Sequence, residues 1–361
     1  MTSWGVIYKD HDILNRAVSR VEAVDPDFGI GYAIHTVQTG DSAFQGKPIA
    51  DVYTKLLSME GRAIEFKFES SSGDVSKTWK HSLVKVSLVK DENTPQGTRL
   101  SFISADRIAI LTHNPESDIH EPESGKVSKL VKKLLLDASL KAGVIQETDR
   151  VDEFSLICQP FIPDYQFITD FLMPRSMSGD KAGYRLWSQD GETYDYLTAD
   201  YQAKELEIPS ENISRVEDNN AAHEASKLGG YYLRGESFDP FTKKVIEAES
   251  EDANKAFGDY YGEWRQPSYT AKFPAYTEAA LNVMVGNAQR GEADYAYPFN
   301  VVVTGLASID GKPFQRPAIV VAKCHHKTSG TVKGLLVSLS HSYRQRGLSV
   351  TLGCLRHMTT L

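Results

Sequence analysis

The feature that most constrains this chain is a run of two-residue alternation close to its C-terminus. From Gly334 to Tyr343, the residues Leu335, Val337, Leu339, His341 and Tyr343 fall on one side, with mostly serines opposite. Arg344-Gln345-Arg346-Gly347 follows, and Gly347 is the residue expected to take the positive φ of a tight reversal. The return segment alternates again, with Leu348, Val350, Leu352 and Cys354 in phase. Helical side chains recur every ~3.6 residues, so a helix cannot present this pattern as one face. Alternation on both sides of a turn predicts an antiparallel hairpin with one buried face.

The same period recurs in the N-terminal part. Ile30, Tyr32 and Ile34 alternate, as do Ile64, Phe66 and Phe68. Val84, Val86 and Leu88 form a strand pattern that pairs with Leu100 and Phe102 across a polar loop at 91–98. A short helix is expected over 50–59. Several short strands parted by turn residues read as a small barrel or sandwich.

A polar, acidic stretch with two prolines occupies 113–125 and reads as a linker. Then the period changes. Val127, Leu130, Val131, Leu134, Leu135 and Ala138 make a helical stripe, with Lys129, Lys132, Lys133 and Lys141 off it as its solvated face. Ser124 is the expected N-cap and Gly143 the expected stop. A second helix is expected from Asp164, as its cap, to Pro174, with Phe167, Ile168, Phe171 and Leu172 on one face. Residues 184–197 read as a hairpin about Asp190-Gly191. Residues 201–225 are polar and carry no clear pattern, and 230–247 reads as strand-turn-strand with its bend near Asp239-Pro240. An acidic, aromatic excursion spans 249–272, and a third helix spans 276–290, with Ala280, Val283, Met284 and Asn287 in register. Strands at 298–305 and 318–324 lead into the closing hairpin.

The fold class expected from this order is α+β and β-rich: two similar small β-barrel domains with a helix-containing inserted region. The divisions are 1–112 for the first barrel, 113–200 for the linker and α/β region, and 201–245 for the first part of a split second barrel. An insertion with a helix takes 246–290, and 291–361 completes the second barrel. A chain of 361 residues is long for a single core, which fits more than one domain. The formal charge of −8 argues against a general nucleic-acid binder, whose domains are typically basic. Cys158, Cys324 and Cys354 are too few and scattered for a disulfide framework. The N-terminal residues lack a signal-peptide pattern, and no apolar run approaches the ~20 residues of a membrane helix. A soluble protein made in the cytosol is expected.

Catalytic, cofactor-binding and metal-binding residues are all expected to be absent. Gly305 to Lys312 looks like a phosphate loop, but five residues part the glycines and Pro313 stands where Ser or Thr should hold magnesium, so a strand-connecting turn is expected. Cys324-His325-His326 with His341 and Cys354 offers zinc-type ligands, yet neighbours on a strand point to opposite faces. His341 and Cys354 are expected to be packing residues. Asp25 and Asp27 form one of many chance pairs among 48 acidic residues. Trp79, Trp187 and Trp264 are expected to be core or interface aromatics.

Four segments carry a family resemblance: Lys126 to Leu135, Gln159 to Ile168, Phe238-Asp239-Pro240 before Lys243-Lys244, and Leu339 to Tyr343 followed by Leu348 to Leu352. In this order they resemble the baseplate hub proteins of contractile-tailed bacteriophages. More distantly they resemble the hub part of the valine-glycine repeat spike proteins of type VI secretion. The resemblance implies a non-enzymatic structural virion protein of the tail baseplate, assembled in the host cytoplasm. It also implies a homotrimer that adapts a sixfold tail tube to a threefold central spike. Tape-measure protein and, transiently, DNA would pass through its channel, and baseplate wedge proteins would surround it. Two alternatives stand beside it: a tail-associated cell-wall hydrolase, and the hub of a phage-like injection or secretion system.

Overall fold

The structure, a computed structural model, describes residues 2–37, 49–90, 98–148, 157–176, 183–218, 232–239, 242–249, 268–272, 278–279, 281–282, 284–286, 297–323 and 330–356. Its N-terminal part supplies β1 (Trp4–Tyr8), β2 (Val18–Asp25), β3 (Tyr32–Val37), β4 (Ala63–Ser70), β5 (Trp79–Lys90) and β6 (Thr98–Ala105), side by side in the order β1-β4-β5-β6-β3-β2. The expected pairing of Val86 with Phe102 and of Leu88 with Leu100 is present. So is the helix, α2 (Ile49–Leu57), after a short α1 (Asp12–Ala17). Ile64, Phe66 and Phe68 are buried as one face of β4. On β3 the buried side is the reverse of the larger side chains: Ala33, His35 and Val37 face inward while Tyr32 and Ile34 are exposed. Alternation identifies a strand but not which of its faces is covered.

The expected linker at 113–125 is instead β7 (Pro115–His120), followed by a short 3-10 turn. Its polar side chains hide a strand that exists because it pairs with a partner far along the chain. The stripe of leucines and valines forms α3 (Val127–Asp137), whose Val127, Leu130, Val131, Leu134 and Leu135 are buried. Ser124 does not cap it: Ser124 lies at φ 59°, and the capping position is Lys126 with no side-chain bond. Nor does Gly143 end it, since the helix stops at Asp137 and Gly143 lies within β8 (Lys141–Ile145). β7 pairs antiparallel with β9 (Ile157–Pro163), making a two-stranded ribbon.

The helix after β9 runs from Asp164 to Arg175, with π-type turns over Phe167–Leu172. Asp164 is its first residue rather than its cap, and Pro174 is accepted inside the last turn. The Asp190-Gly191 turn joins β10 (Tyr184–Ser188) to β11 (Thr193–Thr198), as expected, with Gly191 at φ 95°. A Cβ at Gly191 would stand 2.7 Å from the Lys80 carbonyl, so only glycine lets this turn sit against β5. The sheet β10-β11-β8, α3 and the π-containing helix enclose a core of their own, which includes Ile108, Leu130, Leu134, Phe167, Leu172 and Tyr196.

The polar stretch after residue 200 contains β12 (Lys204–Ile208) and β13 (Ile213–Asp218). Strand-turn-strand is present as β14 (Tyr232–Asp239) and β15 (Lys244–Glu249), and β16 (Ser268–Lys272) joins them in a separate three-stranded sheet. The segment at Phe238 therefore does not open a second barrel. Most of 249–272 lies outside the described residues, as do Ala280, Val283 and Asn287. Of the third expected helix, residues 278–279, 281–282 and 284–286 are helical, with Leu281, Met284 and Val285 buried. β17 (Tyr297–Thr304) follows. The loop-like Gly305 to Lys312 connects strands, as expected, and within it Asp310-Gly311 turns between β18 (Ser308–Ile309) and β19 (Lys312–Pro313). Then come β20 (Ala318–Lys323), β21 (Thr331–Arg344) and β22 (Gly347–Arg356).

The terminal hairpin is β21 with β22. Its two-residue turn places Gln345 at φ 50° and Arg346 at φ 65°, so these residues, rather than Gly347, carry the left-handed backbone. Leu348, Val350, Leu352 and Cys354 are buried in one core as expected. On β21 the single expected face is split. The register shifts between Leu336 and Ser338, which leaves Val337 as an extra residue. Leu339 and Tyr343 face the main core, whereas Leu335 and Val337 pack with Trp187 and Leu197 in another cluster.

The two β regions do not form separate closed barrels. β2 pairs with β21, from Arg20 with Arg344 to Asp25 with Leu339, and so joins them in one 12-stranded, largely antiparallel sheet. Their apolar side chains fill one continuous core, from Trp4 to Cys354. The sheet curls until the Trp4 amide donates to the Arg346 carbonyl at 2.9 Å, although β1 and β21 form no ladder.

Inside that curl His341 stacks on Phe68 and meets the edge of Trp79, and its Nδ1 has no hydrogen-bond partner. Burial lowers its pKa to about 4, against the opposing pull of Asp25. Burial, with His81 nearby, also holds His35 well below the usual histidine value. Both rings stay neutral in the fold while the unfolded chain takes up protons near pH ~6.5. Stability is therefore complete above that pH and falls as pH drops toward 4. For His341 the full loss is about 3 kcal/mol. Urea unfolding at about pH 7.5 and about pH 5 checks this: His341→Phe is expected to narrow the gap between the two midpoints, and an unchanged gap would refute the assignment.

Candidate functional site

A densely connected polar site lies where the curled sheet, the α/β core and the bulge of β21 meet. Arg316, on the segment before β20, donates from Nη1 to the carbonyl of Pro26 at 2.6 Å and to that of Val337 at 2.8 Å. The second bond satisfies the carbonyl of the residue that the bulge leaves out of the ladder. The guanidinium lies over the Trp187 ring at 4.8 Å, and Trp187 Nε1 donates to the Asp27 carbonyl at 3.1 Å. Asp27 accepts from Arg185 Nε at 2.9 Å, and Asp25 binds Lys77 Nζ at 2.8 Å. Burial would raise the Asp25 pKa, but Lys77 and Arg316 outweigh it and hold the carboxyl below its usual value. Burial likewise lowers Arg316, against the surrounding aspartates. The Asp25 and Asp27 pair, read as chance in the sequence, thus has two structural roles. Both tie the loop after β2 to other elements.

A second polar chain crosses the core of the curled sheet. Tyr8 Oη and His35 Nδ1 are 2.6 Å apart, His35 Nε2 and Ser104 Oγ 2.9 Å, and Ser104 Oγ and His81 Nδ1 3.0 Å. His81 Nε2 then reaches Asp106 Oδ1 at 3.1 Å, close as an ion pair but not aligned as a hydrogen bond. Asp106 Oδ2 accepts the Gly31 amide at 3.0 Å. The order Asp106, His81, Ser104 has the residue types of a hydrolase triad. Ser104 and His81 are wholly buried, however, and the hydroxyl is held between two imidazoles, so no substrate carbonyl reaches it in this conformation. The recesses of about 420 and 330 Å³ on the surface are lined by other residues. None of these five residues stands out in the sequence. Their contacts depend on strand register, which a local pattern does not reveal.

Of the expected zinc-type ligands, Cys324, His325 and His326 lie outside the described residues. His341 and Cys354 are both buried, but they stand at different levels of the hairpin, opposite Val350 and Leu336. Trp79 and Trp187 are buried aromatics as expected, and Trp264 lies outside the described residues. Among the described residues no three His, Cys, Asp or Glu side chains group as a metal site, and no helix is long and apolar enough to cross a membrane.

The tail protein of Neisseria meningitidis MC58 matches 98% of the chain and 96% of its own length, with a TM-score of 0.61 and 13% identity. The 43 kDa tail protein of prophage MuSo2 from Shewanella oneidensis matches 99% and 97%, at 0.59 and 11%. The chain has the fold of these tail proteins. The half-lidded Francisella PdpA-VgrG complex is also similar, with a TM-score of 0.52 and 8% identity over all of this chain and 59% of that one. No protein-family model matches the sequence, and no curated protein sequence matches it.

Arg316→Met keeps the length of the side chain but strands the carbonyls of Pro26 and Val337. The expected cost is about 2–4 kcal/mol. Denaturant unfolding reads that loss. Protease cleavage at the loop after β2 is expected to accelerate with it, and stability equal to wild type would refute the clamp.

Proposed function

We propose that this protein is a structural component of a phage-like tail, acting as a homotrimeric baseplate hub. The observation that carries the reading is the match to two tail proteins, one of them from a prophage, along nearly the whole of all three chains. Each copy holds two β regions fixed to one another through β2 and β21. Three copies would therefore present six β regions around one axis. A sixfold tail tube can bind such a ring, and the true threefold end can take a trimeric spike. A symmetry mismatch otherwise sets identical surfaces against non-identical ones. The excess of acidic residues suits a channel for tape-measure protein and DNA, since attachment to phosphates relies on clustered Lys and Arg.

The likeness to the PdpA-VgrG complex supports a second reading, in which the same hub serves a secretion or injection system. Both readings place spike and tube partners at the two ends of a trimer. A tail-associated hydrolase has weaker support, because the triad-like arrangement of Asp106, His81 and Ser104 is sealed in the core.

Light scattering behind size exclusion is expected to give three chain masses, and a peptidoglycan zymogram is expected to stay blank. Leu339→Asp and Val350→Asp each put a carboxylate into the shared core, at a cost of several kcal/mol. Complementation with either variant is expected to yield no assembled tails. A monomer at every concentration, or cleared peptidoglycan, would overturn the hub reading.

A further inference from the structure

The buried polar chain from Tyr8 to Asp106 has one hydrogen for each of its contacts, and this decides which way each contact points. Each imidazole meets a polar atom at both ring nitrogens: His35 at Tyr8 Oη and Ser104 Oγ, His81 at Ser104 Oγ and Asp106 Oδ1. The charge of Asp106 is among those that stabilise the buried Arg316 cation. An ionised carboxylate only accepts, so the hydrogen between His81 and Asp106 sits on His81 Nε2. A neutral His81 then has a bare Nδ1, and Ser104 donates to it. Ser104 Oγ in turn accepts from His35 Nε2, and the bare His35 Nδ1 accepts from Tyr8 Oη. Every link runs the same way, from Tyr8 to Asp106.

One other arrangement keeps all the links bonded, and it runs in reverse. It puts a hydrogen on Nδ1 of both rings, with a proton held between Asp106 and His81 Nε2. Tyr8 Oη then accepts from His35, and the phenol hydrogen loses the one acceptor it has among the described residues. Releasing that hydrogen is no remedy, since burial, with Tyr343 nearby, holds the Tyr8 pKa well above its usual value. The same atoms therefore have two polarities, of which the forward one is native.

The two ends of the chain touch different parts of the molecule. Asp106 leads into a 3-10 turn over Arg107–Thr112, whose Ile108 and Leu111 belong to the α/β core. The Gly191 turn of that unit lies against the last link: a Cβ on Gly191 would stand 2.9 Å from His81 Cδ2 and 3.1 Å from Asp106 Oδ1. This is also the poorly aligned link. Tyr8, at the far end, belongs to β1, the strand at the seam of the curl. We propose that the chain is a conformational relay: the seating of the α/β unit at Asp106 sets the direction of its hydrogens, and that direction is felt at Tyr8. His81, Ser104 and His35 are the positioning residues that carry it. Coupling between separated sites requires an element with two discrete states that both sites bias, and the two polarities supply one. The relay lies within one chain and is independent of the trimer reading.

The test is nitrogen NMR of the full chain labelled at its histidines, at neutral pH, which reads the ring nitrogen that carries hydrogen. The signals of the two rings are identified by their loss in His35→Gln and His81→Gln. In the wild type both rings are expected to hold hydrogen on Nε2 and none on Nδ1. Hydrogen on Nδ1 of either ring, alone or with Nε2, overturns the polarity, and this reading needs no variant at Asp106. In Asp106→Asn the amide oxygen is taken by the Gly31 amide, which leaves the NH2 group facing His81 Nε2. Both rings are then expected to switch to Nδ1, including His35, which makes no contact with residue 106 in the chain. In Asp106→Asn with Ser104→Ala, only His81 is expected to switch. Simple loss of packing does not move a hydrogen on a remote ring. A His35 that keeps its Nε2 hydrogen in the single variant, or loses it in the double, overturns the relay.

Discussion

β21 is hydrogen-bonded along both edges, and the division of one edge between two partners governs the rest of the molecule. β22 follows it along one side. On the other side β20 takes the segment up to Leu335, and β2 takes the segment from Leu339. The change of partner falls at the bulge about Val337. A bulge bends its strand and shifts the phase of its side chains by one. Here it allows a single strand to serve two apolar clusters on opposite sides, the shared core and the patch around Trp187. Arg316 makes that economical, since it caps the carbonyl that the bulge displaces and also grips the loop after β2.

Much of this architecture was legible in the sequence, for a simple physical reason. Alternating residues such as Leu348, Val350, Leu352 and Cys354 report a local preference, and the fold respects it. The stripe of α3 and the Asp190-Gly191 turn were readable in the same way. The bulge was not, because one added residue alters no local composition while it reverses everything before it. β7 was hidden as well, since Pro115-Glu-Ser-Asp-Ile-His120 has almost no intrinsic strand character and is held by β9. The paired β regions looked like two barrels because nothing in either segment announces the β2–β21 ladder. The chain that links Tyr8 to Asp106 was invisible for the related reason that its members share a site only after the strands have paired.

The low identity to the tail proteins, 13% and 11%, sits beside near-complete coverage of each chain. Few individual side chains can be shared at that level, so what the chains have in common is the fold. A binary pattern of buried and exposed positions is sufficient to select strand phase and core face, while sequence detail sets how well the core packs. The contributions of buried groups such as Arg316, His341 and Asp25 follow from this chain's own contacts.

The curl of the sheet has a mechanical consequence. β1 approaches the end of β21 through the bond from Trp4 to Arg346, whereas β21 and β22 are joined along most of their length. Load applied along the strands is shared by many ladder bonds at once and must shear them together. Load applied across the seam falls, among the described residues, on the hydrogen bond from Trp4 to Arg346 and on ring contacts such as Phe68 against His341 and Tyr343. Backbone bonding is therefore dense along the hairpin and sparse at the seam, and force across the seam is expected to part β1 from the turn before it disturbs the hairpin.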